Sequence, residues 1–294
     1  MAAVTGYSDC CADALVSGGA WTSSAPLTNI QTDDVQDVAV SLDATAVSTQ
    51  IDIDLGSIQP VGMIVAGPIN LTEGEATYRV RSFLEADHTT TLYDTGVLTV
   101  TGFVVDWDDP DTWYEEEDDR FWDGIGTSDV SELPLYLIII VPEAQLTETN
   151  AQYFKIEFSD ENNIDGQIRV GCVKMFRAFR PAYNYSAGDN DFSLSWLTNI
   201  NESLGGSRSY WDRGVRRALR LSWSVVPQDE LFTEWFRIAY NSRLSRQIFI
   251  VPEESDDAPT MRKRAFLATF KQSPSIVQAA AGYGSTSIDL EEVI

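Results

Sequence analysis

The chain has 294 residues, of which 44% are hydrophobic and 22% are charged. This composition supports two globular domains and excludes an intrinsically disordered chain. The formal net charge of −25 at pH 7 argues against contacts with the phosphates of nucleic acids or of anionic membranes.

The N-terminal sequence MAAVTGYSDCC has neither a basic segment nor an apolar segment, so we expect no secretory signal. The three cysteines, Cys10, Cys11 and Cys172, are a poor disulfide framework because their number is odd and two of them are adjacent. We expect reduced, buried thiols in a protein made in a reducing cytoplasm. The longest apolar run, residues 133–141, is too short to span a bilayer, so we expect no membrane insertion.

The charge is distributed unevenly along the chain. Residues 1–178 carry 31 acidic and 7 basic side chains, a net charge of −24, whereas residues 179–294 carry 14 and 13, a net charge of −1. The segment 177–191 contains proline, glycine and small polar residues, as linkers do. We therefore predict two domains, 1–178 and 179–294, that have different neighbours.

Short runs of β-branched and aromatic residues predict that the first domain is built from strands. The predicted strands are residues 49–55, 61–66, 78–83, 92–105 (two strands divided by a glycine), 135–141, 153–158 and 168–176. Residues 49–55 alternate apolar and polar side chains with period two, which is typical of a half-buried strand. With no long amphipathic helix among them, these strands predict a jelly-roll β-sandwich.

Residues 106–132 interrupt the strand pattern with an insertion that mixes acidic and aromatic residues, which indicates a long surface loop. One interpretation is a solvated loop without a ligand. A second is a Ca²⁺ site, because closely spaced carboxylates suit a hard cation. Its candidate ligands are Asp106, Asp108, Asp109 and Asp111. A third is a carbohydrate-binding surface, because aromatic rings offer apolar faces with polar handles. Its candidate residues are Trp107, Trp113, Tyr114 and Trp122.

Several motifs of the first domain resemble the discoidin, or galactose-binding-like, family. They are Trp21, LTNI (27–30), IDIDLG (51–56), PINL (68–71), YRVR (78–81), YFKIEF (153–158) and GQIRVG (166–171). The resemblance covers roughly residues 8–178. It implies a β-sandwich whose loops bind sugars, and the acidic insertion departs from the usual pattern of the family.

The second domain is also predicted to be rich in strands, with one helix. Residues 217–225 alternate as a strand does, and residues 247–251 and 265–270 are two further predicted strands. Pro227 and Asp229 open the helix, which carries Leu231, Trp235, Ile238 and Ala239 on one apolar face. The acidic C-terminal residues from Ile288 onward are interpreted as a short tail.

The segments RALRLSW, EWFRIAYNS and RQIFIVPEE resemble the belt or tube-type domain of siphovirus tail proteins. With the first domain, this resemblance suggests a minor or distal-tail-like protein of a bacteriophage tail tip. It implies a structural role in the virion tail, synthesis in the bacterial host cytoplasm, a homo-oligomeric ring, and contacts with other tail proteins (tube, hub and tail tip) and with a host surface glycan. The alternative is a lectin-like, carbohydrate-binding module protein without a tail role.

Two basic clusters in the second domain are candidates for assembly contacts, because complementary charges fix the register between subunits. Their arginines are Arg213, Arg216, Arg217, Arg220, Arg262 and Arg264. His88 is the only histidine and is predicted to lie in a turn between strands, and no phosphate-binding glycine motif is present. We therefore predict that the protein is not an enzyme and needs no cofactor, apart from the Ca²⁺ considered above.

Overall fold

A computed structural model describes residues 3–100, 135–186, 188, 190–202, 208–280 and 282–293. For residues 196–202, 209–214, 259, 279 and 280 only the backbone is described. The protein is mainly β, and its sheets are antiparallel. Within the described residues, no helix is long and apolar enough to cross a bilayer.

The chain forms two compact units, each with its own hydrophobic core. The sandwich unit comprises residues 10–177 and 255–264, and the helix unit comprises residues 1–9, 178–254 and 265–294. The predicted domains, 1–178 and 179–294, are single continuous ranges, whereas each compact unit contains segments from both of them. Independent folding of either range stays a prediction.

The sandwich unit contains two main antiparallel sheets. Its strands are β2 (Leu15–Ser17), β3 (Ala39–Val40), β4 (Ile51–Pro60), β5 (Met63–Ala66), β6 (Thr77–Phe83), β7 (Thr91–Asp94), β8 (Leu98–Thr99), β9 (Leu137–Ile140), β10 (Asn150–Ser159), β11 (Arg169–Val170) and β12 (Val173–Phe179). One sheet has the order β2-β4-β10-β6-β7, with β8 also paired to β6. The other has the order β12-β5-β9, and β3 pairs with β11 separately. Two short 3₁₀ helices, Leu27–Gln31 and Glu143–Gln145, lie between strands.

Side-chain alternation explains how the sandwich forms. In β4, Ile51 and Ile53 are buried while Asp52 and Asp54 point to the other face, as the sequence pattern predicted. The predicted strand at 168–176 is divided into β11 and β12, with Gly171 and Cys172 between them. A Cβ atom at Gly171 would lie 2.7 Å from the carbonyl oxygen of Val35, so a larger residue would not fit there.

The helix unit contains one antiparallel sheet with the order β13-β14-β18-β16-β15-β1, and β17 also pairs with β18. Its strands are β1 (Val4–Tyr7), β13 (Asp191–Glu202), β14 (Arg208–Pro227), β15 (Ile248–Val251), β16 (Phe266–Phe270), β17 (Ser275–Ala280) and β18 (Tyr283–Glu292). The interpretation of the C-terminal residues as a tail is wrong, because Ile288 and Leu290 are buried residues of β18. The acidic residues on the exposed face of this half-buried strand gave the segment the composition of a charged tail.

The predicted helix is confirmed and is labelled α1. It consists of the consecutive parts Gln228–Glu230, Leu231–Trp235 (a π-helical turn) and Phe236–Ser242. Leu231, Trp235 and Ile238 are fully buried in the core of the helix unit, as the helical spacing predicted. A second helix, α2 (Ala258–Arg264), belongs to the sandwich unit and was not predicted.

Candidate ligand-binding loops of the sandwich unit

Three loops of the sandwich unit meet at one end of its strands. Ser159 at the end of β10 pairs with Thr77 at the start of β6, and Ala66 at the end of β5 pairs with Leu137 at the start of β9. This register brings residues 41–50, 67–76 and 160–172 together. We call these three segments the loop end.

Asp160 connects the three loops. Its backbone N–H donates to the carbonyl oxygen of Ala44 over 2.9 Å. Its Oδ2 accepts hydrogen bonds from the backbone N–H of Thr72 (2.8 Å) and from the side-chain amide of Asn163 (2.9 Å). Asp160 is only 2% exposed, so these contacts are shielded from water and fix the loops firmly.

Asn70 organises the outer part of the loop end. Its amide nitrogen donates to Oδ2 of Asp165 (3.2 Å) and to the carbonyl oxygen of Gln167 (3.0 Å), and its Oδ1 accepts from the backbone N–H of Arg169 (2.7 Å). Asp165 and Arg169 also form an ion pair of 3.5 Å, with side chains 39% and 55% exposed. A carboxylate and a guanidinium are thus held side by side at the surface.

An apolar residue completes this polar surface. Ile164 lies in the same turn as Asp165 and is 99% exposed. We define the Asn70 patch as Asn70, Ile164, Asp165 and Arg169. It brings a carboxamide, a carboxylate, a guanidinium and an exposed apolar side chain together at the surface.

The acidic insertion leaves and re-enters the sandwich at the same loop end. On its N-terminal side, Gly74 and Val100 are joined by an N–H···O bond of 2.9 Å, and Val100 donates to Ala76 over 2.8 Å. On its C-terminal side, the N–H of Ile69 donates to the carbonyl oxygen of Leu135 over 3.0 Å. All six of these backbone groups belong to the loop 67–76 or to the two residues that flank 101–134.

The site residues predicted within the insertion lie outside the described residues. They are the aromatic residues Trp107, Trp113, Tyr114 and Trp122 and the acids Asp106, Asp108, Asp109 and Asp111. Their roles in glycan or Ca²⁺ binding stay predictions. Within the part of the chain that is described, no cluster of three His, Cys, Asp or Glu side chains is arranged to hold a metal ion.

The single histidine lies in the connection between β6 and β7, as predicted. It is not a freely solvated side chain, because His88 stacks on the ring of Phe83 with centroids 4.4 Å apart and an interplanar angle of 18°. Its backbone φ of 55° is a left-handed turn conformation. His88 is therefore part of the packing at the edge of the larger sheet.

The outer face of the larger sheet is covered by ion pairs. Arg81 contacts Glu157 over 2.7 Å, and Arg79 contacts Asp94 over 2.5 Å. The hydrogen bonds from Arg79 are the main cause that lowers the pKa of Asp94 below its ordinary value, and they raise the pKa of Arg79 in turn. The charges on this face of the sheet are thus paired with each other.

The first predicted basic cluster lies on β14 in the helix unit. Arg217 is buried with Glu292, and its guanidinium also donates to the carbonyl oxygen of Ala265 over 3.2 Å. Arg216 forms a partly exposed pair with Glu291, Arg220 is exposed, and Arg213 lies where only the backbone is described. Arg217 is thus positioned to stabilise its own unit rather than to reach a neighbour.

The second predicted basic cluster lies on α2 in the sandwich unit. Arg262 contacts Glu73 over 2.6 Å, and Arg264 contacts Asp256 over 2.8 Å. The cluster therefore does not belong to the unit that the sequence assigned it to, since Glu73 lies in a loop of the sandwich. The pair Arg262–Glu73 holds α2 beside the loop end, and a role in assembly stays a prediction.

The chain resembles several solved structures over little more than half its length. The module CBM32-1 of a family 31 glycoside hydrolase from Clostridium perfringens is 13% identical, with a TM-score of 0.36 over 58% of this chain and 99% of that chain. The lectin domain of lectinolysin, solved with Lewis B antigen, is 14% identical, with a TM-score of 0.34 over 58% of this chain and 96% of that one.

A third structure, SpGH29, is 11% identical, with a TM-score of 0.35, and the match covers 58% of this chain and only 28% of that chain. No protein-family model matches the chain, and no curated protein matches it. Two of these three neighbours are a carbohydrate-binding module and a lectin domain.

The Asn70 patch was not predicted as a site from the sequence. In the sequence, Asn70 belongs to the PINL motif, and residues 160–166 have the composition of a turn. A signal was present, because Asn and Asp side chains cluster in both segments and commonly bond to nearby backbone. The contact between segments so distant along the chain could not be read from either one alone.

Proposed function

We propose that the protein is a carbohydrate-binding protein without catalytic activity, and that the loop end of its sandwich unit recognises a surface glycan. The observation that carries the proposal is the Asn70 network, which holds Asp165 and Arg169 exposed and adjacent. A carboxylate and a guanidinium form strong hydrogen bonds with neutral hydroxyl groups, because one partner in each bond is ionised. Neighbouring hydroxyls of a sugar ring match such a pair.

Aromatic residues of the insertion would supply the apolar contacts of the same site. Trp107, Trp113, Tyr114 and Trp122 belong to a segment whose two ends are anchored at the loop end, which supports this assignment. An aromatic ring stacked on the C–H face of a sugar buries apolar area and leaves the hydroxyls at the rim for polar partners.

A bound Ca²⁺ would be held by the acids of the insertion rather than by the Asn70 patch. Asp106, Asp108, Asp109 and Asp111 provide the hard oxygen ligands that this cation prefers. Calorimetry with CaCl₂ would test the site, with the variant Asp108→Asn/Asp109→Asn as control. Equal heats of binding for the wild type and the double variant would reject the proposed Ca²⁺ site.

The experiment for glycan binding is a glycan array followed by calorimetry on the best ligand. We expect Asp165→Ala and Arg169→Ala each to weaken binding by about tenfold, since a hydrogen bond to a charged group contributes about 1.5–3 kcal/mol. Arg79→Ala, which removes an ion pair on the sheet face, is the matched control and should bind normally. Unchanged affinity of both loop-end variants would reject the Asn70 patch as the site.

A second candidate function is that of a structural subunit of a bacteriophage tail tip, present in the virion and made in the host cytoplasm. The observation that favours it is the hairpin of β13 and β14. Residues 218–227 of β14 pair with β18, whereas residues 208–217 pair only with β13 among the described strands. A two-stranded ribbon is marginally stable alone, so a neighbouring subunit or other tail proteins would support it.

Electron microscopy of the purified protein tests this second candidate. A tail subunit that assembles through β13 should form closed rings, and Leu194→Lys should prevent them because a lysine on an edge strand opposes strand addition. Val277→Lys, at a similarly exposed position of β17, is the control. Absence of rings for the wild-type protein at every concentration would argue against this role.

A further inference from the structure

The helix α1 has two apolar faces, and only one of them is buried by its own unit. Leu231, Trp235 and Ile238 are fully buried. On the other side, Phe232, Phe236 and Tyr240 recur every four residues and are 48%, 54% and 69% exposed. Leu244, just beyond the helix, is 55% exposed. We call Phe232, Phe236, Tyr240 and Leu244 the outer stripe.

The outer stripe is a continuous surface. Positions four residues apart lie above one another on a helix, and the rings of Phe236 and Tyr240 stack with centroids 6.4 Å apart and an interplanar angle of 13°. With about half of each side chain accessible, the stripe exposes on the order of 400 Å² of mostly apolar area. A patch of this size is comparable with the largest apolar patch on a typical monomer, which often has a function.

The charges around the outer stripe are arranged by sign along the helix. Asp229 is exposed in the first turn, and Arg243 and Arg246 are exposed just beyond the last turn. None of these three side chains forms an ion pair with another residue of the described part of the chain. The surface is therefore acidic at one end, apolar in the middle and basic at the other end.

Such a surface is complementary to itself when a second copy packs antiparallel. We propose that two copies of this chain form an isologous dimer through the outer stripe, with the two-fold axis passing between Phe236 and Tyr240. This arrangement places Phe236 against Tyr240 of the second copy and Phe232 against Leu244 of the second copy. It also brings Asp229 close to Arg246 of the second copy. By symmetry, an acid therefore faces an arginine at each end of the interface.

The charge of the protein favours a second copy of the chain over a lipid surface as the partner of the outer stripe. A net charge of −25 repels anionic membranes, whereas the local pattern of acid and arginine attracts an antiparallel copy. The stripe supplies about half of the roughly 800 Å² that each partner buries in a standard interface, so polar residues beside the helix complete the contact.

The backbone at Arg243 supports a role for its side chain. Arg243 ends the helix with φ 50° and ψ −154°, a conformation that glycine adopts far more readily than any other residue. An arginine in this position is costly for the isolated unit. A contact of its guanidinium with a second copy would offset that cost.

Analytical ultracentrifugation of the full chain tests the dimer. We expect a dimer in the micromolar range, and we expect Phe236→Ser and Tyr240→Ser each to weaken it by at least about tenfold, because both remove central apolar contacts. Val277→Ser is the control, since Val277 is 51% exposed on β17 outside the helix. Circular dichroism would confirm that each variant is folded.

Charge exchange provides an independent readout. Asp229→Arg should weaken the dimer, Arg246→Asp should weaken it likewise, and the double variant should restore it, because each pair is again of opposite sign. Mixing Phe236→Cys protein with Tyr240→Cys protein should give a disulfide-linked dimer under mild oxidation. A monomer at concentrations up to about 100 µM, or binding of the stripe to neutral vesicles instead of to itself, would overturn the proposal.

Discussion

Arg217 and Glu292 form a salt bridge inside the helix unit, with side chains only 2% and 4% exposed. The backbone N–H of Arg217 also donates to Oε2 of Glu292 over 2.9 Å, and the guanidinium lies 4.9 Å from the ring centroid of Phe266. The pair thus joins the last residue of β18 to the long strand β14. Because both charges are buried, removing either side chain would leave the other charge buried without a counter-charge.

The first prediction follows from this dependence. Glu292→Gln should destabilise the protein by about 3–5 kcal/mol, because it leaves a buried guanidinium without its counter-charge. Urea denaturation measures the change. Glu291→Gln, which removes the partly exposed partner of Arg216, is the matched control and should cost less than about 1 kcal/mol. Equal changes in the free energy of unfolding for both variants would show that burial does not increase the contribution of the Arg217–Glu292 pair.

The second prediction concerns the aromatic core beneath α1. Trp235 packs against Trp223 with ring centroids 4.5 Å apart and against Phe179 at 5.2 Å, and both tryptophans are at most 1% exposed. Trp235→Ala should cost about 3–5 kcal/mol because of the cavity it leaves. Thermal unfolding measures the loss. Phe232→Ala, on the exposed face of the same helix, should be nearly neutral in the monomer, and a large loss there would contradict the assignment of faces.

The third prediction concerns Asp160 at the loop end. Asp160→Ala should destabilise the sandwich unit by about 2–4 kcal/mol, since the backbone N–H of Thr72 and the amide of Asn163 would lose their buried acceptor. Hydrogen exchange should show faster exchange in the loop 67–76. Glu161→Ala, an exposed acid in the same turn, is the control and should leave that exchange unchanged.

The fourth prediction concerns the pH dependence of the pair Arg79–Asp94. Hydrogen bonds from Arg79 lower the pKa of Asp94 in the folded state relative to about 3.9 in the unfolded chain. Its contribution to stability is therefore fully present above pH 4 and is lost as the pH falls through the folded-state pKa. The pair is about one-third exposed, so the contribution is only about 0.5 kcal/mol.

Urea denaturation of the wild type and Asp94→Asn between pH 2 and 7 checks this sign. The wild type should be more stable at neutral pH, and the two curves should converge as the solution becomes acidic. Arg79→Gln should show the same convergence because it removes the same interaction. A difference between the curves that grows towards low pH would contradict the direction of the shift.

Much of the sandwich unit could be predicted from its sequence because its strands have regular alternation. In residues 51–54 of β4 and 79–82 of β6, buried residues alternate with partly exposed ones, following the period of two that the sequence displays. The helix α1 was also predictable, since Leu231, Trp235 and Ile238 recur at helical spacing. These elements share one property, which is that local pattern and burial agree.

The remaining elements could not be predicted because their burial depends on distant partners. Residues 4–7 join the sheet of the helix unit by pairing with β15, whose residues lie more than 240 positions later. The acidic residues of β18 each have a polar partner on another segment: Asp289 has Gln272, Glu291 has Arg216 and Glu292 has Arg217. Likewise, Asn70 and Asp165 became a candidate site only when the loops that carry them met.

The hydrogen bonds at Val100 and Leu135 have a consequence for how this protein can vary. They join the two residues that flank the segment 101–134 to the same loop, residues 67–76. The segment can therefore be exchanged without moving the strands on either side of it. The entropic cost of closing a loop rises only slowly with its length. Related chains could therefore carry inserts of different size and composition on the same framework, and new binding specificities could be grafted there without redesigning the core.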